Sequence, residues 1–180
     1  MFKLDERVVY PGYGVAKINR LIKRKIAGNH SQFFELNLLK KDMTVFIPVK
    51  NIAAIGIRKL SDPGAVAKVW DLLAEPVSEI HGDVFLTNWN KRNKEYQEKL
   101  RNGNIVELTM IYRDLKIVGM RKELSFSERA LLQQTEALLV EEIALVTQVA
   151  ESDVSDRLRV PFESMQLAEN RVERFTLNSV

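Results

Sequence analysis

The hydrophobic pattern changes period near residue 61, and that change limits what the chain can fold into. Before it, apolar residues fall in short β-prone runs separated by turn residues. After it, they recur at helical spacing. A length of 180 residues allows one or two small domains,. The expectation is therefore an α+β chain with a β domain followed by an all-α domain.

In the first part, Val8–Tyr10 precedes the turn signal Pro11-Gly12-Tyr13-Gly14,. Val15 to Ile26 forms a long loosely alternating strand, and Ala27–His30 supplies a hairpin turn. Phe33–Leu39 and Thr44–Val49 are further strands, with a turn at Lys40–Asp42 between them. Pro48 cannot donate to a ladder and points to an edge or a strand end. Ile55–Leu60 could add a short fifth strand. Five short strands in 60 residues predict a small, strongly bent barrel of the SH3 or Tudor kind.

Helical spacing begins at Asp62-Pro63-Gly64, runs through Val66, Val69, Trp70 and Leu73, and stops at Pro76,. Residues 77–87, with Gly82, read as a connector. A helix from Thr87 should end at Asn102-Gly103. The next spans Asn104 to Gly119. Ser125 and Glu128 have capping-box spacing ahead of the helix that holds Leu131, Leu139 and Ile143. Val154–Leu158 reads as a last turn, and no structure is assigned beyond Pro161. The expected division is a Tudor-like domain at 1–60, helix and connector at 61–87, a helical domain at 88–155 and a tail at 156–180.

Several chemistries are excluded or unsupported. The chain has no cysteine, which removes disulfides, thiolate zinc sites and cysteine nucleophiles,. His30 and His81 stand apart and at no ligand spacing,. Pro11–Gly14 lacks the Lys-Ser/Thr ending of a phosphate loop. Nothing assembles an acid, a base and a nucleophile, so an enzyme is not expected, and neither a cofactor nor a small-molecule substrate is implied. The start Met1–Arg7 does not read as a secretory signal, and no apolar run reaches the ~20 residues of a membrane span. A soluble, cytoplasmic protein is expected.

Charge is uneven. Residues 1–60 hold 12 Lys+Arg against 4 Asp+Glu, and residues 88–129 hold 10 against 6. The segments between and after them are acidic, so two basic faces are expected where solvated surface is the plain alternative. In Thr87-Asn88-Trp89-Asn90-Lys91-Arg92-Asn93-Lys94, a large apolar ring sits among amides and cations. On a helix Trp89, Tyr96 and Leu100 share a face, which favours a core role for the ring. A flat ring fenced by cations also suits nucleic acid, with cations on phosphates and the ring on bases or in the minor groove at an unstacking step. Both readings stand on the residues alone.

From Phe2 to about Ala150 the chain resembles the CarD/CdnL family of bacterial transcription regulators. The resemblance lies in F-K-L-D-E-R-V-V-Y-P-G-Y-G-V, I-K-R-K-I-A-G-N, M-T-V-F-I-P-V and I-G-I-R. It continues in N-W-N-K-R-N-K-E-Y-Q-E-K-L-R-N-G-N-I-V-E-L, Y-R-D-L, L-S-F-S-E-R and L-L-V-E-E-I-A-L. It implies a Tudor-like domain that docks on the RNA polymerase β subunit by strand addition. It also implies a helical domain whose tryptophan wedges into the promoter minor groove at the upstream edge of the bubble and hinders its collapse, with low sequence specificity. Trp89 matches that tryptophan. Lys94 and Arg129 match cations on the DNA backbone, with Lys91 and Arg92 as helpers. Arg24 matches a polymerase-contacting cation, and Thr44, Val45, Phe46, Ile47 and Pro48 match the docking strand. Phe46 stands where some relatives have arginine, so an apolar contact would replace a salt bridge there. Localisation at the nucleoid through the polymerase would follow. The alternative is a protein–protein adaptor with a β-edge docking module and no direct DNA role.

Overall fold

The computed structural model describes residues 2–26, 29–75 and 88–177, with side chains as far as residue 166. The hairpin turn expected at Ala27–His30 lies partly outside these residues, and the connector at 77–87 wholly so.

The fold is α+β. Strands β1 (Arg7–Tyr10), β2 (Gly14–Ile26), β3 (Asn29–Leu38), β4 (Thr44–Pro48) and β5 (Arg58–Lys59) form one antiparallel, Tudor-like sheet in the order β4-β3-β2-β1-β5. The long β2–β3 hairpin closes at the pair Ile26–Asn29 and carries an irregularity between Ile18 and Arg20, which bends it,. Val8, Ala16, Ile18, Phe34, Leu36, Leu38, Ile47 and Ile57 form its core. The expected fifth strand is only two residues long. Ile52–Ile55 turn as a short helix, α1, which Gly56 ends in the left-handed conformation at φ 81°,.

Among the described residues, the helical part comprises α2 (Pro63–Ala74), α3 (Trp89–Asn102), α4 (Ile105–Arg121), α5 (Phe126–Thr147) and α6 (Glu151–Leu177). Four of the five starts carry a side-chain cap. Asp62 accepts the Ala65 amide and Pro63 follows it; Asn88 accepts the Asn90 amide; Asn104 accepts those of Val106 and Glu107,. Ser125 and Glu128 form the reciprocal capping box that their spacing predicts,. Helix α4 is the central one, with Ile111, Tyr112, Leu115 and Val118 fully buried.

Val66, Val69 and Leu73 of α2 belong to the helical core. Trp70 lies at the edge of that core, with the Arg157 guanidinium 4.0 Å above its ring. The largest departure from expectation is α6. A last turn was expected at Val154–Leu158, yet the helix runs to Leu177 through Pro161. Val154, Leu158 and Phe162 recur every four residues and are all buried, and the Phe162 ring meets Tyr112 edge-on at 5.8 Å. That burial, at roughly 1.5–3 kcal/mol per large apolar side chain, offsets the backbone hydrogen bond that Pro161 removes.

The sheet and the helices meet along a polar seam. Arg58 of β5 donates Nη1 to Glu142 Oε1 at 2.7 Å and Nη2 to Oε2 at 2.8 Å, and its Nε reaches the Gly103 carbonyl at 2.8 Å. Ser61 donates both its amide and its hydroxyl to Glu142. The Val15 amide donates to Glu141 at 3.2 Å. Gly103 ends α3 at φ 65°, and a Cβ there would lie 2.9 Å from Pro11, so the helix end rests directly on the β1–β2 turn.

Candidate nucleic-acid interface and docking edge

Trp89 is the first residue of α3, and Asn88 caps the helix beneath it. The ring is half-buried. It packs on the helical core and lies 6.4 Å from Tyr96 at a tilt of 59°. The Arg92 guanidinium is 5.8 Å from its centroid. The two readings of the sequence therefore describe two sides of one ring: one is held by the core and the other remains open.

The cations around it differ. Lys91 and Lys94 are exposed. Arg92 departs from the expectation of a phosphate contact, because it is 6% exposed and its Nη2 donates to the buried Glu128 at 3.2 Å. Its guanidinium lies against the Trp89 ring and near the Tyr96 hydroxyl. Burial pushes the Glu128 carboxyl up, but hydrogen bonds from Ser125 and the charge of Lys122 outweigh it and leave it below the usual range,. Burial, followed by Asp114, whose carboxylate accepts its hydroxyl at 3.2 Å, raises Tyr96 far above the ordinary phenol. Arg129 is exposed and pairs with the exposed Glu123 at 3.1 Å. Such a pair contributes about 0–1 kcal/mol and leaves the guanidinium exchangeable.

Sequence reasoning missed Phe126. It is 81% exposed and shares with Trp89 a cleft of about 320 Å³, which Asn93 and Gln134 also line. The signal was in the sequence. Phe126 sits between two serines as Trp89 sits between two asparagines, and each aromatic is the first residue of its helix. First-turn side chains overhang a helix end, so both rings crown the same end of the bundle.

Among the described residues, β4 pairs with β3 alone in the sheet, which leaves its outer edge open. Phe46 is exposed, with the Arg24 guanidinium 5.1 Å above its ring. Ile47 is buried in the sheet core and Val45 packs against that core, so these two can offer a partner only their backbone. Thr44 is exposed and donates to Asn37 at 2.9 Å, while Pro48 is half-buried opposite Phe33. Phe46 and Arg24 thus form an outward platform beside the open edge of β4. No group of His, Asp or Glu among the described residues could hold a metal ion, and no described helix is long and apolar enough to cross a membrane.

A Tudor-like sheet followed by a helical bundle is the arrangement that two family models describe. Residues 2–61 match the CarD-like/TRCF RID domain and residues 68–159 match the CarD C-terminal domain. The chain belongs to the CarD-like family of transcription regulators that interact with RNA polymerase. Among curated proteins, "Putative transcription factor YdeB" of Bacillus subtilis (strain 168) is 25% identical over 154 residues, covering 86% of this chain and 97% of that protein. Among solved structures, the solution structure of the 72-residue N-terminal domain of Myxococcus xanthus CarD is 29% identical. That match covers 33% of this chain and 79% of the solved domain, with a TM-score of 0.29.

Proposed function

We propose that the protein docks on the β subunit of RNA polymerase through the open edge of β4 and stabilises the open promoter complex with Trp89. The observation that carries this reading is the placement of Trp89. Its ring is fixed on one side by Tyr96 and Arg92 and open on the other, beside the exposed Lys91 and Lys94. A pre-positioned ring loses little side-chain entropy when it inserts at an unstacking base step. The lysines, with Arg129, neutralise the flanking phosphates. Strand addition at β4 would supply main-chain hydrogen bonds, with Phe46 and Arg24 giving the contact its specificity.

The energetics need not be large. Docking raises the effective concentration of the wedge at the promoter. A wedge that contacts only opened DNA shifts the closed–open equilibrium by its differential affinity, and about 1–2 kcal/mol changes the ratio roughly 5- to 30-fold. Ring and phosphate contacts read shape, so sequence preference should be low.

The test is the lifetime of open complexes formed by cognate polymerase without the protein, with wild type, and with Trp89→Ala. The proposal expects wild type to lengthen the lifetime and Trp89→Ala to lose most of that gain while still bound to polymerase. Equal lifetimes with the two proteins would overturn the wedge and leave an adaptor that makes no DNA contact.

A further inference from the structure

A second cleft, of about 380 Å³, opens on the domain seam next to the cleft of Trp89 and Phe126. Pro11, Tyr13, Lys41, Arg101 and Gln134 line it, and Gln134 lines both clefts, so the two adjoin across that side chain. The Gln134 side-chain amide donates to the Gly12 carbonyl at 3.2 Å and fastens the β1–β2 turn to α5 where they join.

Tyr13 is the aromatic ring of this second cleft. It is 46% exposed, stacks on Tyr10 with centroids 4.6 Å apart, and carries the Lys41 ammonium 5.4 Å from its ring. The turn that presents it is pinned. Gly14 has φ 112°, and a Cβ there would strike the Glu141 carboxylate that holds the Val15 amide. Lys41, from the β3–β4 loop, and Arg101, from the end of α3, are both exposed and line the same cleft as the ring. No carboxylate lines the cleft among the described residues, and the nearest in sequence, Asp42, is exposed beside Lys41.

We infer that this cleft is a second DNA-contact surface, across which the sugar–phosphate backbone passes from Trp89 over Tyr13, past Lys41 and Arg101. The inference rests on the proposed function and extends the DNA face from the helical domain onto the sheet. An exposed aromatic ring with a lysine over it and an arginine in the same cleft, beside the aromatic cleft of Trp89, matches the requirements of a polyanion with flat bases,. It also gives the basic charge of residues 1–60 a partner besides polymerase.

The experiment places the photoreactive amino acid p-benzoylphenylalanine at position 13 or at position 89 of the full chain, in open complexes with cognate polymerase. Crosslinks to promoter DNA from both positions are expected. DNA crosslinks from 89, with only polymerase crosslinks or none from 13, would overturn this inference and leave the Trp89 reading standing. No DNA crosslink from either position would overturn both. Charge removal gives an independent reading: Lys41→Ala with Arg101→Ala should flatten the log–log salt dependence of DNA binding by about 1.8, near 0.9 per duplex phosphate contact. An unchanged slope in a folded double variant counts against the cleft. Both residues are exposed, so the fold should be retained.

Discussion

The two arms of the Arg58 guanidinium close on the two oxygens of Glu142, at 2.7 and 2.8 Å, and join the last strand of the sheet to the longest described run of buried α5. Arg58 is 25% exposed and Glu142 only 2%. Ser61 satisfies Glu142 further. A planar fork on a carboxylate fixes orientation as well as distance, which a lysine would not do.

Arg58→Ala should therefore destabilise the protein by about 3–5 kcal/mol, because it leaves Glu142 charged and buried. Urea unfolding of Arg58→Ala, Glu142→Ala and the double variant measures this. The double variant should cost less than the sum of the single ones, and strict additivity would contradict the coupling.

Glu141 should make stability depend on pH in the opposite sense to a typical paired carboxylate. Burial holds its carboxyl above the usual range, and the Val15 amide and Lys40 offset this only in part. A folded pKa above the unfolded one contributes stability below the unfolded value, and that contribution is lost as pH rises through the folded value. Glu141→Gln keeps an acceptor for Val15 and removes the charge. It should be more stable than wild type at neutral pH, with the gap closing toward about pH 4. A gap independent of pH would show that the carboxyl titrates normally.

The cations near Trp89 should separate into two kinds. Arg92→Ala removes a buried partner of Glu128 and the guanidinium against the ring, and should cost about 3 kcal/mol,. Lys91→Ala and Lys94→Ala should change stability by less than about 0.5 kcal/mol. They should still weaken DNA binding and lower its salt dependence. Thermal unfolding alongside DNA anisotropy distinguishes the two behaviours.

Phe46→Ala should weaken binding to a polymerase β-lobe fragment roughly tenfold, the effect of losing about 1.4 kcal/mol at an anchoring ring. Because Phe46 is exposed, the melting temperature should hardly move. Ile47→Ala should do the reverse, lowering stability by about 2–4 kcal/mol through a cavity in the sheet core,.

Much of the fold was legible in residue spacing. The change of period near residue 61, the capping box at Ser125 and the glycine stop at Gly103 are local signals, and each lies where the structure uses it. Helix α6 was obscured because charged residues surround Val154, Leu158 and Phe162 and Pro161 reads as a terminator. The apolar stripe becomes visible only once α4 provides a surface for it. The site was partly legible for a similar reason. Sequence shows that cations cluster near Trp89, but not that Arg92 turns inward to Glu128, since that requires the start of α5 to lie beside the start of α3. Phe126 was overlooked because its neighbours already had a role as a cap.

Pinned by Arg58, Glu141 and the contact of Gly103 with Pro11, the seam holds the open strand edge and the aromatic cap at a constant separation. Under the proposed function, a molecule built in this way would work as a gauge: with β4 seated on polymerase, Trp89 would sample a single distance along the DNA. Promoters would then be sorted by whether their first unpaired step falls at that distance, a selection by length that needs no base to be read.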